Sequence, residues 1–197
     1  MPTRALFPTL VYVAALQRRG AADLNTRLLH EINQLRRDDA AGRKWSALHY
    51  PGGFTSYASA HRLHRVSPTF AELERKLAPH VRRFCGSLGL DLKGHKLAMT
   101  DCWANVMNRG VVHGLHLHPL STLSGTYYVQ VPPGASGLKL EDPRLDRMMA
   151  SPPRSAWISV RARAGQLVLF ESWLRHEVPV NPSRLARVSV SFNFSWF

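Results

Sequence analysis

From Lys96 onward the chain breaks into short segments that favour extended backbone, separated by Gly and Pro, and this limits its architecture more than any other feature. Leu97 to Met107, Leu123 to Val131, Leu138 to Leu140, Trp157 to Val160, Leu167 to Phe170, His176 to Val180 and Ala186 to Phe194 all read as strands. Many short strands with turn signals between them argue for a sandwich or barrel of the jelly-roll type. The last segment is the most regular. Arg187, Ser189, Ser191 and Asn193 alternate with Val188, Val190, Phe192 and Phe194. Successive side chains on a strand point to opposite faces, so one face is polar and the other apolar. A polar face turned inward is costly unless its groups serve a site or one another. We read this strand as one that lines a pocket.

The half before residue 95 reads as helical. Ala21 to Arg37 spaces Leu24, Leu28, Leu29, Ile32 and Leu35 by three and four, an amphipathic stripe. Ser67-Pro68 opens a second helix with proline at its first position, and Glu72 and Glu74 sit in its early turns. Leu73, Leu77, Val81 and Phe84 form its buried stripe, ended by Gly86 or Gly89, with Pro79 predicting a kink or an earlier stop. Pro51-Gly52-Gly53-Phe54-Thr55-Ser56 is a turn-rich connection between them. A length of 197 residues suits one domain over 1–197, with helices to about residue 95 and a jelly-roll core over about 96–197.

Charge and cysteine content set weaker bounds. Lys and Arg number 26 against 13 acids, a net charge of +13. No block of five or six like charges occurs, and no nucleic-acid-binding motif is recognisable, so a solvated basic surface is favoured over a nucleic-acid partner. The longest apolar run, near Leu10 to Leu16, falls short of the roughly 18 residues that span a bilayer. It also lacks a signal peptide's charged start and cleavage pattern. Cys85 and Cys102 have neither metal-like spacing nor framework character, which suggests a reducing, cytoplasmic setting.

The chemistry-bearing residues are histidines. His116 and His118 stand at i and i+2, which on a strand presents two imidazoles to one point. His176, from a distant strand, completes a facial set of three ligands that leaves the opposite side of a metal open. Neutral imidazoles suit iron and zinc alike. Arg187, eleven residues beyond His176, can clamp a carboxylate in bidentate fashion, and Ser189 on the same face can add a hydroxyl. Tyr127 and Tyr128 can supply a phenol to that carboxylate. His113, near the site, is compatible with supporting a metal ligand, touching substrate or facing solvent in a turn, the last being favoured, and Trp103, Trp157, Trp173 and Trp196 are read as core or wall.

In this order the residues resemble the Fe(II)/2-oxoglutarate-dependent dioxygenases, and most closely a small bacterial family of 2OG-Fe(II) oxygenases. The resembling stretches are Trp103-Ala104-Asn105-Val106, His116-Leu117-His118-Pro119 and Ser124-Gly125-Thr126-Tyr127-Tyr128-Val129. Leu140-Glu141-Asp142-Pro143-Arg144, Ser172-Trp173-Leu174-Arg175-His176 and Arg187 to Asn193 add to them, with Leu6-Phe7-Pro8 near the start. The resemblance implies a double-stranded β-helix, a cupin-like jelly roll with N-terminal helices. It implies Fe(II), 2-oxoglutarate and O2 as cofactor and co-substrates, with release of succinate and CO2 and hydroxylation of a small-molecule or peptide substrate.

By position, His116 and His176 match the histidine ligands, Arg187 the partner of the distal carboxylate of 2-oxoglutarate, and Tyr128 an assisting tyrosine. Tyr127 is its substitute, and Asn105 sits where some relatives place a polar co-substrate contact. His118 departs from the pattern, because most of the superfamily has an acid there. If His118 turned away, Asp142 or Glu171 would have to supply that acid. Two other readings stay compatible with these residues. One is a three-histidine, cupin-like metalloenzyme that uses no keto acid, and the other a non-enzymatic basic binding module.

Overall fold

Alternation along the strands decides how the layers stack. A computed structural model describes residues 3–17, 20–92, 94–144, 146, 149 and 155–197. In chain order these form β1 (Val11–Ala15), α1 (Ala21–Asp38), α2 (Ala40–His49), β2 (Phe54–Thr55), α3 (Leu63–Val66) and α4 (Pro68–Leu88). There follow β3 (Leu97–Met107), β4 (His113–His116), β5 (Leu123–Gln130), β6 (Leu138–Glu141) and β7 (Trp157–Val160). The last strands are β8 (Gln166–Glu171), β9 (His176–Val178) and β10 (Arg187–Trp196). Two antiparallel sheets result, a larger one ordered β1-β8-β5-β10-β3-β2 and a smaller one ordered β4-β9-β6-β7. Two antiparallel sheets stacked in this way form a double-stranded β-helix, the jelly roll expected from the strands.

The larger sheet is covered on both faces, and the two sets of side chains go to different cores. Val188, Val190, Phe192 and Phe194 of β10, with Cys102, Ala104 and Val106 of β3, pack against Leu24, Leu28 and Ile32 of α1 and the apolar stripe of α4. Tyr128, Val168, Phe170 and Met107 point the other way and meet Leu138, Leu140 and Val178 of the smaller sheet. Gly125 of β5 is crowded by the neighbouring strands β8 and β10. A Cβ there would lie 2.6 Å from the Val168 carbonyl oxygen and 2.7 Å from Phe192 Cε2.

Helix α4 begins as its sequence dictates. The Ser67 hydroxyl accepts hydrogen bonds from the amides of Thr69 and Phe70, and Pro68 occupies the first turn, where no amide hydrogen is needed. The helix neither stops nor ends early at Pro79. It runs to Leu88 and closes on Gly89 in the left-handed region at φ 67°. Leu73, Leu77, Val81 and Phe84 are all at most 4% exposed. Burying four such side chains, at about 1.5–3 kcal/mol each, outweighs the roughly 3 kcal/mol that an interior proline costs.

The helical reading of the first half needs correction. β1 and β2 lie within it, pairing with β8 and β3 respectively. The sequence reading also left out α2 and β4. The predicted strands of the second half are all present, with ends shifted by at most three residues. Between Leu145 and Ser155 the described residues are Asp146, Met149 and Ser155.

Candidate metal centre

Strand register brings the histidines together. His116, the last residue of β4, is the Cα partner of His176, the first residue of β9. His118 lies two residues past the end of β4, not on it. Its amide donates to the Ser172 carbonyl at 3.0 Å, which holds the chain beside the approach to β9. The ring centroids are 4.2 Å apart for His116 and His176, and 5.2 Å from His118 to each of them. One nitrogen from each ring can be chosen so that all three lie within 4.8 Å of one another. Among the described residues this is the only such group of histidine, cysteine or acidic side chains. Neither Asp142 nor Glu171 joins it. Asp142 instead accepts hydrogen bonds from the Arg144 side chain and amide.

Backbone carbonyls orient two of the rings. His116 Nδ1 lies 2.7 Å from the Gly114 oxygen, and His176 Nδ1 lies 2.8 Å from the Leu174 oxygen. A carbonyl can only accept, so Nδ1 carries the hydrogen and Nε2 is left with its lone pair free for a metal. Burial favours the uncharged ring in every case. It holds His116 below the ordinary histidine range. Burial, helped by the neighbouring imidazoles, lowers His118 to about 3 and His176 to about 4.

A pH prediction follows with a definite sign. These folded-state values lie below the unfolded value near 6.5, so the unfolded chain takes up protons first as pH falls. The metal-free protein therefore keeps its full stability above about pH 6.5 and loses it progressively toward pH 4. The urea midpoint should be level from pH 8 to 7 and already lower at pH 5.5, before most carboxylates titrate. A midpoint unchanged between pH 7 and 5.5 would show that the rings are not held neutral.

The three rings open onto a small cavity between the sheets, also lined by Asn105, Met107, Arg187, Ser189 and Ser191. The polar face of β10 thus points inward, and it divides into two parts. At the far end Asn193 accepts from Ser124 and donates to Asp101, so that part is satisfied within the protein. At the near end Arg187 is 2% exposed, and its Nη1 reaches only the Ser189 hydroxyl at 3.3 Å and Met107 Sδ at 3.4 Å. Among the described residues no carboxylate pairs with it. Its Nε, Asn105 Oδ1, Tyr128 Oη and Tyr50 Oη are all buried without a partner. Orphaned buried polar atoms are rare in folded proteins, and three of these, on Arg187, Asn105 and Tyr50, belong to residues that line the cavity, which marks a place built for a polar ligand. An unpaired buried guanidinium specifies an anion.

The tyrosines separate as neighbouring strand residues must. The Tyr128 ring packs against Arg187, 4.9 Å from ring centroid to guanidinium carbon. Tyr127 points to the helical side, where its hydroxyl donates to Asn25 Oδ1 at 2.6 Å, so the substitute proposed for Tyr128 is not at the cavity. His113 is a further correction. It is the first residue of β4, not part of a solvent-facing turn, and its ring stacks on His116 with centroids 4.4 Å apart and planes 11° apart. Trp103 is a wall of the cavity, as expected, whereas Trp173 is 47% exposed. Tyr50, which the sequence did not single out, lines both this cavity and an adjoining outer cleft. That cleft is walled by Trp45, His49, Tyr57 and Leu117 and opens onto His116 and His118.

Comparison with known proteins agrees with this geometry. Residues 101–193 match a family described as "Putative 2OG-Fe(II) oxygenase". No curated protein sequence matches the chain. A prolyl-4-hydroxylase from Pseudomonas putida is similar in structure at a TM-score of 0.62 and 16% identity, over 95% of this chain and 92% of its own. HygX from Streptomyces hygroscopicus, solved with nickel, 2-oxoglutarate and hygromycin B, superposes at 0.62 and 15% identity, covering 95% and 83%. EctD from S. alaskensis reaches 0.66 at 16% identity, covering 95% and 73%.

Proposed function

We propose that this chain, whose residues 101–193 match the model of a 2OG-Fe(II) oxygenase family, hydroxylates a small-molecule or peptide substrate with 2-oxoglutarate as co-substrate. The observation that carries the reading is Arg187, buried and without an acidic partner, in the cavity that the three histidines close. His116, His118 and His176 would hold Fe(II) through neutral nitrogens, His116 and His176 through Nε2. Arg187 would pair with the distal carboxylate of 2-oxoglutarate, with Ser189 beside it and Asn105 on the cavity wall.

Iron and 2-oxoglutarate, when bound, supply oxidising power by coupling O2 reduction and decarboxylation to succinate and CO2 with oxidation of a substrate C–H bond. The chain's own groups do the rest. The Gly114 and Leu174 carbonyls set two ligand tautomers, and Tyr128 braces the guanidinium with its ring. Leu138, Phe170 and Val178 keep the space between the sheets apolar and exclude water from it.

His118 in place of an acid changes the charge of the centre. Three neutral imidazoles with Fe(II) and doubly charged 2-oxoglutarate sum to zero, one unit more positive than a centre with a carboxylate ligand. The outer cleft is the route for substrate. Proteins of this fold include a prolyl-4-hydroxylase and one solved with hygromycin B, which supports a small-molecule or peptide substrate. Cys85 and Cys102 are both free and buried, which fits action in a reducing compartment. No helix among the described residues is long and apolar enough to cross a membrane.

The test is turnover of the co-substrate. Protein given Fe(II), ascorbate, 2-oxoglutarate and O2 should form succinate, and removal of any one of the iron, the keto acid or oxygen should stop it. Metal-loaded protein that neither binds nor consumes 2-oxoglutarate would contradict the proposal and favour a three-histidine metalloenzyme without a keto acid.

A further inference from the structure

Tyr50 reaches the cavity from outside the jelly roll and outside the segment that matches the family. It caps the end of α2, where its amide donates to the Ser46 carbonyl at 2.8 Å and its own carbonyl accepts from the Gly53 amide at 3.0 Å. Gly53 is part of the arrangement. A Cβ at that position would fall 2.6 Å from Tyr50 Cε1 and 3.0 Å from the Val106 carbonyl, so only a glycine lets the ring lie flat against the end of β3. The ring sits 5.3 Å from His113 and packs in the core between the sheets with Met107, Val111 and Tyr128. Met107 is the residue whose sulfur touches Arg187 and the register partner of Arg187 across the sheet. The residue is 4% exposed, and its hydroxyl has no hydrogen-bond partner among the described residues. A phenylalanine would pack the same space without burying a lone donor, so packing does not account for the hydroxyl.

We propose that Tyr50 is a co-substrate-binding residue, its hydroxyl donating a hydrogen bond to the carboxylate that Arg187 pairs. The proposal rests on the 2-oxoglutarate reading above. A neutral hydroxyl beside a guanidinium suits this task, because it adds a second donor to the anion without adding a second buried charge. Its position at the junction of cavity and outer cleft also makes the phenol part of the wall between co-substrate and substrate.

The experiment is a calorimetric titration of Mn(II)-loaded protein with 2-oxoglutarate and, separately, with oxalate. Oxalate chelates the metal but lacks the distal carboxylate. Tyr50→Phe should weaken 2-oxoglutarate binding about tenfold, the loss of one charge-assisted hydrogen bond, and leave oxalate binding unchanged. Its Mn(II) affinity should match wild type, and its metal-free melting temperature should be no lower, since an orphan hydroxyl has been removed. Unchanged 2-oxoglutarate affinity, equal losses for both ligands, or a lowered melting temperature would each overturn the role assigned to Tyr50. Wild-type protein that binds Mn(II) but no 2-oxoglutarate would overturn the functional reading as well.

Discussion

Arg187→Met should weaken 2-oxoglutarate binding to the metal-loaded protein by roughly two to three orders of magnitude, the cost of removing one member of a buried charge pair. The fold should not suffer. In the free protein Arg187 is a buried charge whose nearest partners are a serine hydroxyl and a thioether. Replacing such a charge by an apolar side chain of similar length is commonly neutral or stabilising. Affinity and stability are therefore predicted to move independently, and this separates a ligand-binding arginine from a structural one. A structural arginine would lower the melting temperature and leave 2-oxoglutarate affinity in the surviving folded fraction intact. Metal affinity serves as the control, because Arg187 is not among the three grouped histidines.

His176→Ala acts one step earlier. Loss of a hydrogen bond supporting a metal ligand typically costs roughly 10–100-fold in metal affinity, and loss of the ligand itself should exceed that. His176 is the most buried of the three, at 4% exposure, and it is the register partner of His116. Wild-type protein at a metal concentration about a hundred times its dissociation constant should gain about 2.7 kcal/mol of stability. In His176→Ala that gain should vanish at the same concentration, and 2-oxoglutarate binding should vanish with it. Retained metal stabilisation would mean that the ion sits elsewhere.

Much of the fold was legible because period-two alternation is a physical constraint on a sheet covered on both faces. Val188, Val190, Phe192 and Phe194 had to meet one layer and Arg187, Ser189, Ser191 and Asn193 another, and they do. The same rule limited the reading of the tyrosines. Alternation says that Tyr127 and Tyr128 face opposite ways, but not which of them faces inward, and that depends on the pairing of β5 with β10. Elements whose existence depends on a partner were missed. β2 has two residues and exists through its pairing with β3, and β4 carries His113-Gly114-Leu115-His116 with no alternation to read.

The site was legible to a similar depth. His116, His118, His176 and Arg187 share a spacing pattern, whereas Tyr50 stands 66 residues before His116 (116 minus 50) at the end of a helix that Gly42 and weak periodicity concealed. His113 looked like a turn residue because Val112 and Gly114 flank it. Only the register of β4 against β9, with an irregularity between His113 and His116, brings its ring onto that of His116. The chemistry of the metal was read from His116 and His118 as an i, i+2 pair on one strand. In the fold the strand ends at His116, and the Ser172 carbonyl holds the chain that carries His118.

His118 is the residue on which the account turns, and the measurement that tests it is a crystal structure grown without oxygen in the presence of Fe(II) and 2-oxoglutarate. The account predicts one iron bound by nitrogens of His116, His118 and His176, with the keto-acid end of 2-oxoglutarate on the metal and its distal carboxylate against Arg187. An iron bound by an acidic side chain with the His118 ring turned away, or a keto acid bound away from Arg187, would contradict it.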